Sequence, residues 1–217
     1  MPSPAFDAAM PFILRWEGGF VDHPNDPGGR TNKGVTQRVY TAWRARRSLP
    51  PQDVKFITDA EVKEIYEGDY WLPPRCNQLP TKLDLVQFDT AVNMGVGRAV
   101  RFLQGAVGCG VDGQFGPGTA RAVAGCEPRS ALAAYCDARE AFYRRLVVAN
   151  PKLKVFLKGW LNRLNSLRKE VGLPVFGFAE PSSLAEAGPM MRIPDIGEKQ
   201  VIVVAEWPGR SPQDVDD

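Results

Sequence analysis

The stretch ILRWEGGFVDHPNDPGGRTNKGVT, residues 13–36, holds the transition on which the fold turns. Upstream of it, Phe6, Met10, Ile13, Leu14 and Trp16 recur at helical spacing, and the pattern stops at Gly18-Gly19, where a helix finds its C-terminus. Pro11 then lies in the first turn or makes a kink. Residues 18–35 are crowded with Gly, Pro, Asp and Asn, the composition of a structured loop or short hairpin. Thr36 is placed to cap a short helix running through Tyr40 and Trp43.

Glu17 stands at that junction. The partial negative end of a helix and apolar neighbours both disfavour its ionisation. A carboxyl held neutral near neutral pH is what a general acid for glycosidic cleavage requires. Asp26 follows nine residues later and Thr31 five after that, so a loop folding back over the helix end brings all three around one cleft. In its polar loop Asp26 stays ionised, which gives two carboxylates with opposite roles. Both also have plain structural readings, Glu17 as a solvated helix end and Asp26 as an Asx-turn residue.

Outward from this stretch the helical signals continue. Thr58-Asp-Ala-Glu61 is a capping box opening a helix through Ile65 and Tyr66 to Trp71. Another begins at Pro80, with Leu83, Val86 and Val92 at helical spacing up to Asn93-Met94-Gly95, and residues 98–107 continue as helix. After the Gly-rich turn GCGVDGQFGPGT, two long helices are expected at about 128–149 and 151–171, separated by Asn150-Pro151. Strands have little support before residue 200. The expected fold class is all-α, with residues 174–217 as a flexible tail rich in Pro, Ser, Glu and Gly.

Composition narrows the chemistry. The 217 residues, 44% hydrophobic and 24% charged, suit one domain, or one with a small appendage. His23 is the single histidine, so zinc peptidase and amidase sites built on two or three His cannot be assembled within this chain. Cys76, Cys109, Cys126 and Cys136 form no C-x-x-C pair, and free thiols are expected. No metal site and no cofactor are expected, and acid–base work falls to carboxylates. Residues 1–173 hold 24 bases against 17 acids, a basic body that suits either an anionic polymer or mere solubility. Arg139, Arg144, Arg145, Lys152, Lys154 and Lys158 read as a solvated face or as a means of drawing the protein to anionic wall polymer. Met1 to Leu14 carry Asp7 and no Lys or Arg, unlike a signal peptide, and no run is long enough for a membrane span. The expectation from these features is synthesis in the cytoplasm without a Sec signal of its own.

The 13–36 string resembles the signature of the secretion-activator muramidases of glycoside hydrolase family 108, whose usual form opens E-G-G-Y. The resemblance continues through IYEGDYWLPPRCNQLP (65–80) and FDTAVNMGVGRAVRFLQ (88–104). It extends to VDGQFGPGT (111–119), like the family's peptidoglycan-binding region, and to FLKGWLNRL (156–164). It implies a lysozyme-like helical hydrolase cutting the β-1,4 bond from N-acetylmuramic acid to N-acetylglucosamine, with Glu17 as the general acid. The E-x8-D-x4-T pattern is similar to the Glu/Asp/Thr triad of phage lysozymes, though its Asp–Thr spacing is one residue shorter; it makes Asp26 and Thr31 candidates for holding the water.

As parts of these motifs, Tyr70 and Trp71 are either core or sugar-stacking residues. Asn93 is a helix cap or a partner for an N-acetyl group. Asp112, with Gly113, Gly116, Pro117 and Thr119, is a structural corner or a wall-binding element. His23 is expected to serve loop structure or substrate proximity. The implied organisation is a muramidase part over 1–95, a helical peptidoglycan-binding region packed on it over 96–173, and the tail. The tail's IPDIGEKQVIVVAEWPGRSPQDVDD (193–217) resembles a periplasmic segment of heavy-metal efflux transporters and is given no catalytic role. Peptidoglycan is the expected partner, with a holin or export machinery for delivery, a monomeric state and no nucleic acid. The alternatives are a lytic transglycosylase on the same bond and a non-catalytic wall-binding or secretion-accessory protein.

Overall fold

Ser3 starts the first helix, its hydroxyl accepting from the Phe6 amide at 3.2 Å. The structure is a computed structural model that describes residues 3–20 and 30–177; Asp26, His23 and the tail beyond residue 177 lie outside them. The chain divides into two compact units at Pro73/Pro74. Among the described residues there are eight α-helices and one two-stranded sheet, so the protein is mostly α.

In the first unit, α1 (Pro4–Glu17) buries Phe6, Met10, Ile13 and Trp16 and stops at Gly18, whose φ of 69° only glycine adopts cheaply. Pro11 lies well inside this helix, not in its first turn, so the ladder forgoes one bond there. Strands β1 (Thr31–Asn32) and β2 (Val35–Thr36) pair antiparallel, with Thr31 opposite Thr36. Lys33 and Gly34, at φ 51° and 76°, make the two-residue turn between them, the pattern whose twist matches a hairpin. The Thr36 hydroxyl then caps α2 (Gln37–Arg46).

Helix α3 (Asp59–Tyr66) opens on the full capping box of Thr58 and Glu61. Glu61 also accepts from Arg44 (2.8 Å) and the Tyr40 hydroxyl (2.9 Å), which ties α2 to α3. Burial works against the Glu61 charge, but bonds from Thr58 and Tyr40 and the charge of Arg44 hold its carboxyl below its ordinary value. The helix does not run regularly to Trp71, because Glu67–Trp71 form a π-helical turn.

In the second unit, α4 (Leu83–Met94) is buried on almost every side and ends at Gly95. The same unit holds α5 (Val96–Ala106), α6 (Pro117–Gly125), α7 (Pro128–Ala149) and α8 (Lys154–Glu170), the last two separated by the 3₁₀ turn Pro151–Leu153. A helix so enclosed must satisfy its polar side chains from its neighbours. Asp89 on α4, fully buried, receives Arg139 of α7 at 2.6 Å and Arg163 of α8 at 2.8 Å. Burial opposes the Asp89 charge, yet the two guanidiniums hold its carboxyl below its ordinary value. Arg139 and Arg144 are therefore not on a solvated face: the first is fully buried and the second nearly so. Asp89 thus ties α4 to α7 and α8 within the compact unit that begins at Pro74.

The four cysteines are free thiols, and burial pushes Cys76 well up and Cys136 to about 11. Among the described residues no helix is long and apolar enough to cross a membrane.

Candidate active site

Glu17 is the last residue of α1, half-buried where the helix stops at Gly18. The hairpin turn comes directly against it. A methyl group on Gly34 would stand 2.9 Å from both Cβ and Oε2 of Glu17 and would overlap the Tyr66 hydroxyl. Only a residue without a side chain permits that approach.

Several bonds fix the turn. The Tyr66 hydroxyl donates to the Lys33 carbonyl at 3.0 Å, and the Asn32 amide donates to the carbonyls of Val54 and Lys55 at 3.2 and 3.1 Å. Gln37 donates to the Gln52 carbonyl at 2.9 Å and accepts from the Val54 amide at 2.7 Å. Arg30 and Lys33 add exposed ion pairs to Asp53 and Asp59, each of small energetic weight.

Two tyrosines line the same place. Tyr66 and Tyr70 have ring centroids 5.7 Å apart. Burial raises the Tyr70 hydroxyl above its ordinary value, and the nearby charges of Asp69 and Glu17 raise it further. Tyr70, half-buried, is thus within electrostatic reach of the Glu17 carboxyl. Trp71 is not available to a sugar: it is 0% exposed and packs edge-on against Phe6, 5.5 Å between centroids. Trp71 is therefore a core residue, not a stacking one.

Thr31 sits half-buried on β1, opposite Thr36. In the second unit, Asn93 lies within α4, and its Oδ1 accepts from Tyr143 (2.7 Å) and Arg139 (3.3 Å). That oxygen is committed to the interior rather than to a cap or an N-acetyl group. Asp112 is exposed, and its Oδ1 accepts from Gln104 (2.7 Å) and from the Gln114 amide (2.8 Å), the bonds of a structural corner. The structure therefore brings Glu17 and Tyr70 together in the first unit, and holds Asn93 and Asp112 in separate networks of the second.

Sequence reasoning passed over Gly34, Tyr66 and Phe20. The Asn-Lys-Gly run is a signal for a two-residue hairpin turn, and Tyr66 lies four residues from Tyr70. Phe20 stands three residues past Glu17, 40% exposed, with the Lys55 ammonium 5.8 Å from its ring centroid. No group of three metal-ligating side chains occurs among the described residues.

The model of the family described as glycosyl hydrolase 108 matches residues 10–95, and that of a predicted peptidoglycan domain matches residues 98–165. A solved structure, SagA of Brucella abortus, is 36% identical with a TM-score of 0.64, over 76% of this chain and 92% of that one. Comparison with curated proteins gives no match. A glycosyl hydrolase domain followed by a peptidoglycan domain, on a mostly helical fold, supports a glycoside hydrolase of peptidoglycan. Within that class, the chain belongs to glycosyl hydrolase family 108.

Proposed function

We propose that the protein is an N-acetylmuramidase that hydrolyses the β-1,4 bond between N-acetylmuramic acid and N-acetylglucosamine, with Glu17 as the general acid. The observation that carries this reading is the enclosure of Glu17 by the Gly34 turn and by Tyr66 and Tyr70. Such walls position a carboxyl to donate its proton to a glycosidic oxygen.

In this reading the bond from the muramic anomeric carbon to the oxygen breaks as Glu17 protonates that oxygen. The N-acetylglucosamine 4-hydroxyl leaves, a water oxygen adds to the anomeric carbon, and the water's proton is taken up by carboxylate. Asp26 and Thr31 are assigned to hold that water. Tyr70 and the exposed ring of Phe20 are assigned to stack on sugar faces, which aromatic rings do well. Asn93 and Asp112 are assigned to the framework instead. The expected setting is the cell wall, reached as a monomer through a holin or an export machinery.

The test is mass spectrometry of muropeptides released by the wild type and by Glu17→Gln. Reducing muramic ends from the wild type and a loss of about 10²–10⁴-fold in the variant are expected. Anhydro-muramic ends would instead make it a lytic transglycosylase, and undiminished release by Glu17→Gln would remove Glu17 from the role of acid.

A further inference from the structure

Among the described residues of the second unit, every buried arginine except one has a carboxylate partner. Arg139 and Arg163 share Asp89, Arg144 has Glu140 at 2.6 Å, and Arg168 has Asp137 at 2.9 Å. Arg98, the third residue of α5, is just as enclosed, at 3% exposure. Among the described residues no carboxylate and no hydrogen-bond acceptor pairs with it. Its guanidinium instead lies over the ring of Phe142, 4.7 Å from the centroid. Burial pulls its basicity down, and only Tyr143 acts in the other direction.

A guanidinium on a residue this enclosed, packed on a ring and given no carboxylate by the protein, is costly to hold, and folds retain such a group where an anion comes to it. Two further features converge there. Arg145 lies three residues along α7 from Phe142, so the two share a helix face, and burial alone lowers its basicity, with no carboxylate acting on it. Helix α5 opens at Gly95 with no side-chain cap, which leaves its first-turn amides as additional donors.

We propose that Arg98, with Arg145 beside Phe142 and the uncapped first turn of α5, forms a carboxylate-binding site for the peptidoglycan strand. This rests on peptidoglycan being the substrate polymer. A carboxylate matches the planar fork of an arginine bidentately. Peptidoglycan offers that chemistry from two sources, the lactyl group of a peptide-free muramic residue and the free carboxyls of the stem peptides.

The experiment is co-sedimentation of the full chain, in a Glu17→Gln background, with three insoluble walls. These are native peptidoglycan, peptidoglycan with its carboxyls amidated by carbodiimide chemistry, and glycan stripped of peptides. Arg98→Gln is expected to weaken binding to native wall about tenfold, the loss of one charge-assisted pair. On amidated wall parent and variant should bind equally. A difference between them on stripped glycan assigns the lactyl group, and its absence there assigns the stem peptides.

Because Arg98→Gln removes an unpaired buried charge, its Tm should hold or rise. Arg145→Gln, at a half-buried position, should weaken native-wall binding in the same carboxyl-dependent way and serves as the second variant. The proposal is overturned if both variants bind native wall like the parent. It is equally overturned if their loss is the same on amidated wall, or if Arg98→Gln lowers Tm while Arg145→Gln binds normally. Muropeptide release by proteins with and without Glu17→Gln is read separately, so failure of the acid assignment and failure of the carboxylate site give different results.

Discussion

Replacing Gly34 by alanine places a methyl group where the hairpin turn meets the candidate acid. Two costs follow. The backbone at φ 76° is left-handed, a conformation that costs an alanine about 1–2 kcal/mol. The methyl also stands 2.9 Å from Cβ and Oε2 of Glu17 and overlaps the Tyr66 hydroxyl. Tyr66 is 1% exposed, so pushing its hydroxyl off the Lys33 carbonyl strands a buried donor, at about 1–3 kcal/mol. Together these give about 2–5 kcal/mol, a fall in Tm on the order of 10 °C. Displacement of Glu17 should lower kcat/KM for wall hydrolysis by about 10²-fold, the size expected when a reacting group is misplaced by an ångström. Turbidity clearance of purified peptidoglycan and thermal denaturation read the two effects. Tyr66→Phe removes the atom that the methyl overlaps, so Gly34→Ala/Tyr66→Phe should be less damaged than the sum of its parts. Wild-type Tm and kcat/KM in Gly34→Ala, or strict additivity in the double variant, would refute the reasoning.

Other outcomes follow from the same structure. Asp89→Asn leaves two buried guanidiniums without their carboxylate and should cost about 3–5 kcal/mol in urea unfolding. Glu61 and Asp89 both have folded carboxyls below their ordinary values of 4.5 and 3.8, so the stability they contribute is complete above those values. It is lost as pH falls through the folded values, and the acid limb of Tm against pH should be shallower in Glu61→Gln than in the wild type. Trp71→Phe should lower stability by about 1–3 kcal/mol while KM stays at the wild-type value, as a core residue requires. Phe20→Ala should raise KM several-fold with kcat kept, and unchanged KM in initial-rate measurements would remove it from the substrate surface.

The signals that were legible in the sequence are local ones. Gly18 ends α1, Thr36 caps α2, Thr58 and Glu61 form their capping box, and Asn150-Pro151 separates the two long helices, because each acts within a turn of chain. The π turn over Glu67–Trp71 has no compositional mark, so Trp71 was readable as a stacking residue although it is core. Helix α6 follows a Gly-rich corner and starts at Pro117. Arg139 looked like part of a charged surface because its partner Asp89 is 50 residues away. In the candidate site Glu17 was legible from its position at a helix end. Gly34 and Tyr66 were not, since their meeting depends on a hairpin packing against a helix 33 residues from the turn.

The enclosure of α4 bears on how proteins of this kind can be cut and recombined. The two family matches meet near Gly95, which looks like a natural seam for exchanging wall-targeting parts between enzymes. A graft made there would carry Arg139 and Arg163 into a new host without the acid that neutralises them, and would deprive Tyr143 of Asn93. The transplantable block starts at Pro74 and takes α4 with it. Sequence modules and folding modules have different edges in this chain, and chimaeras built on the second should be the soluble ones.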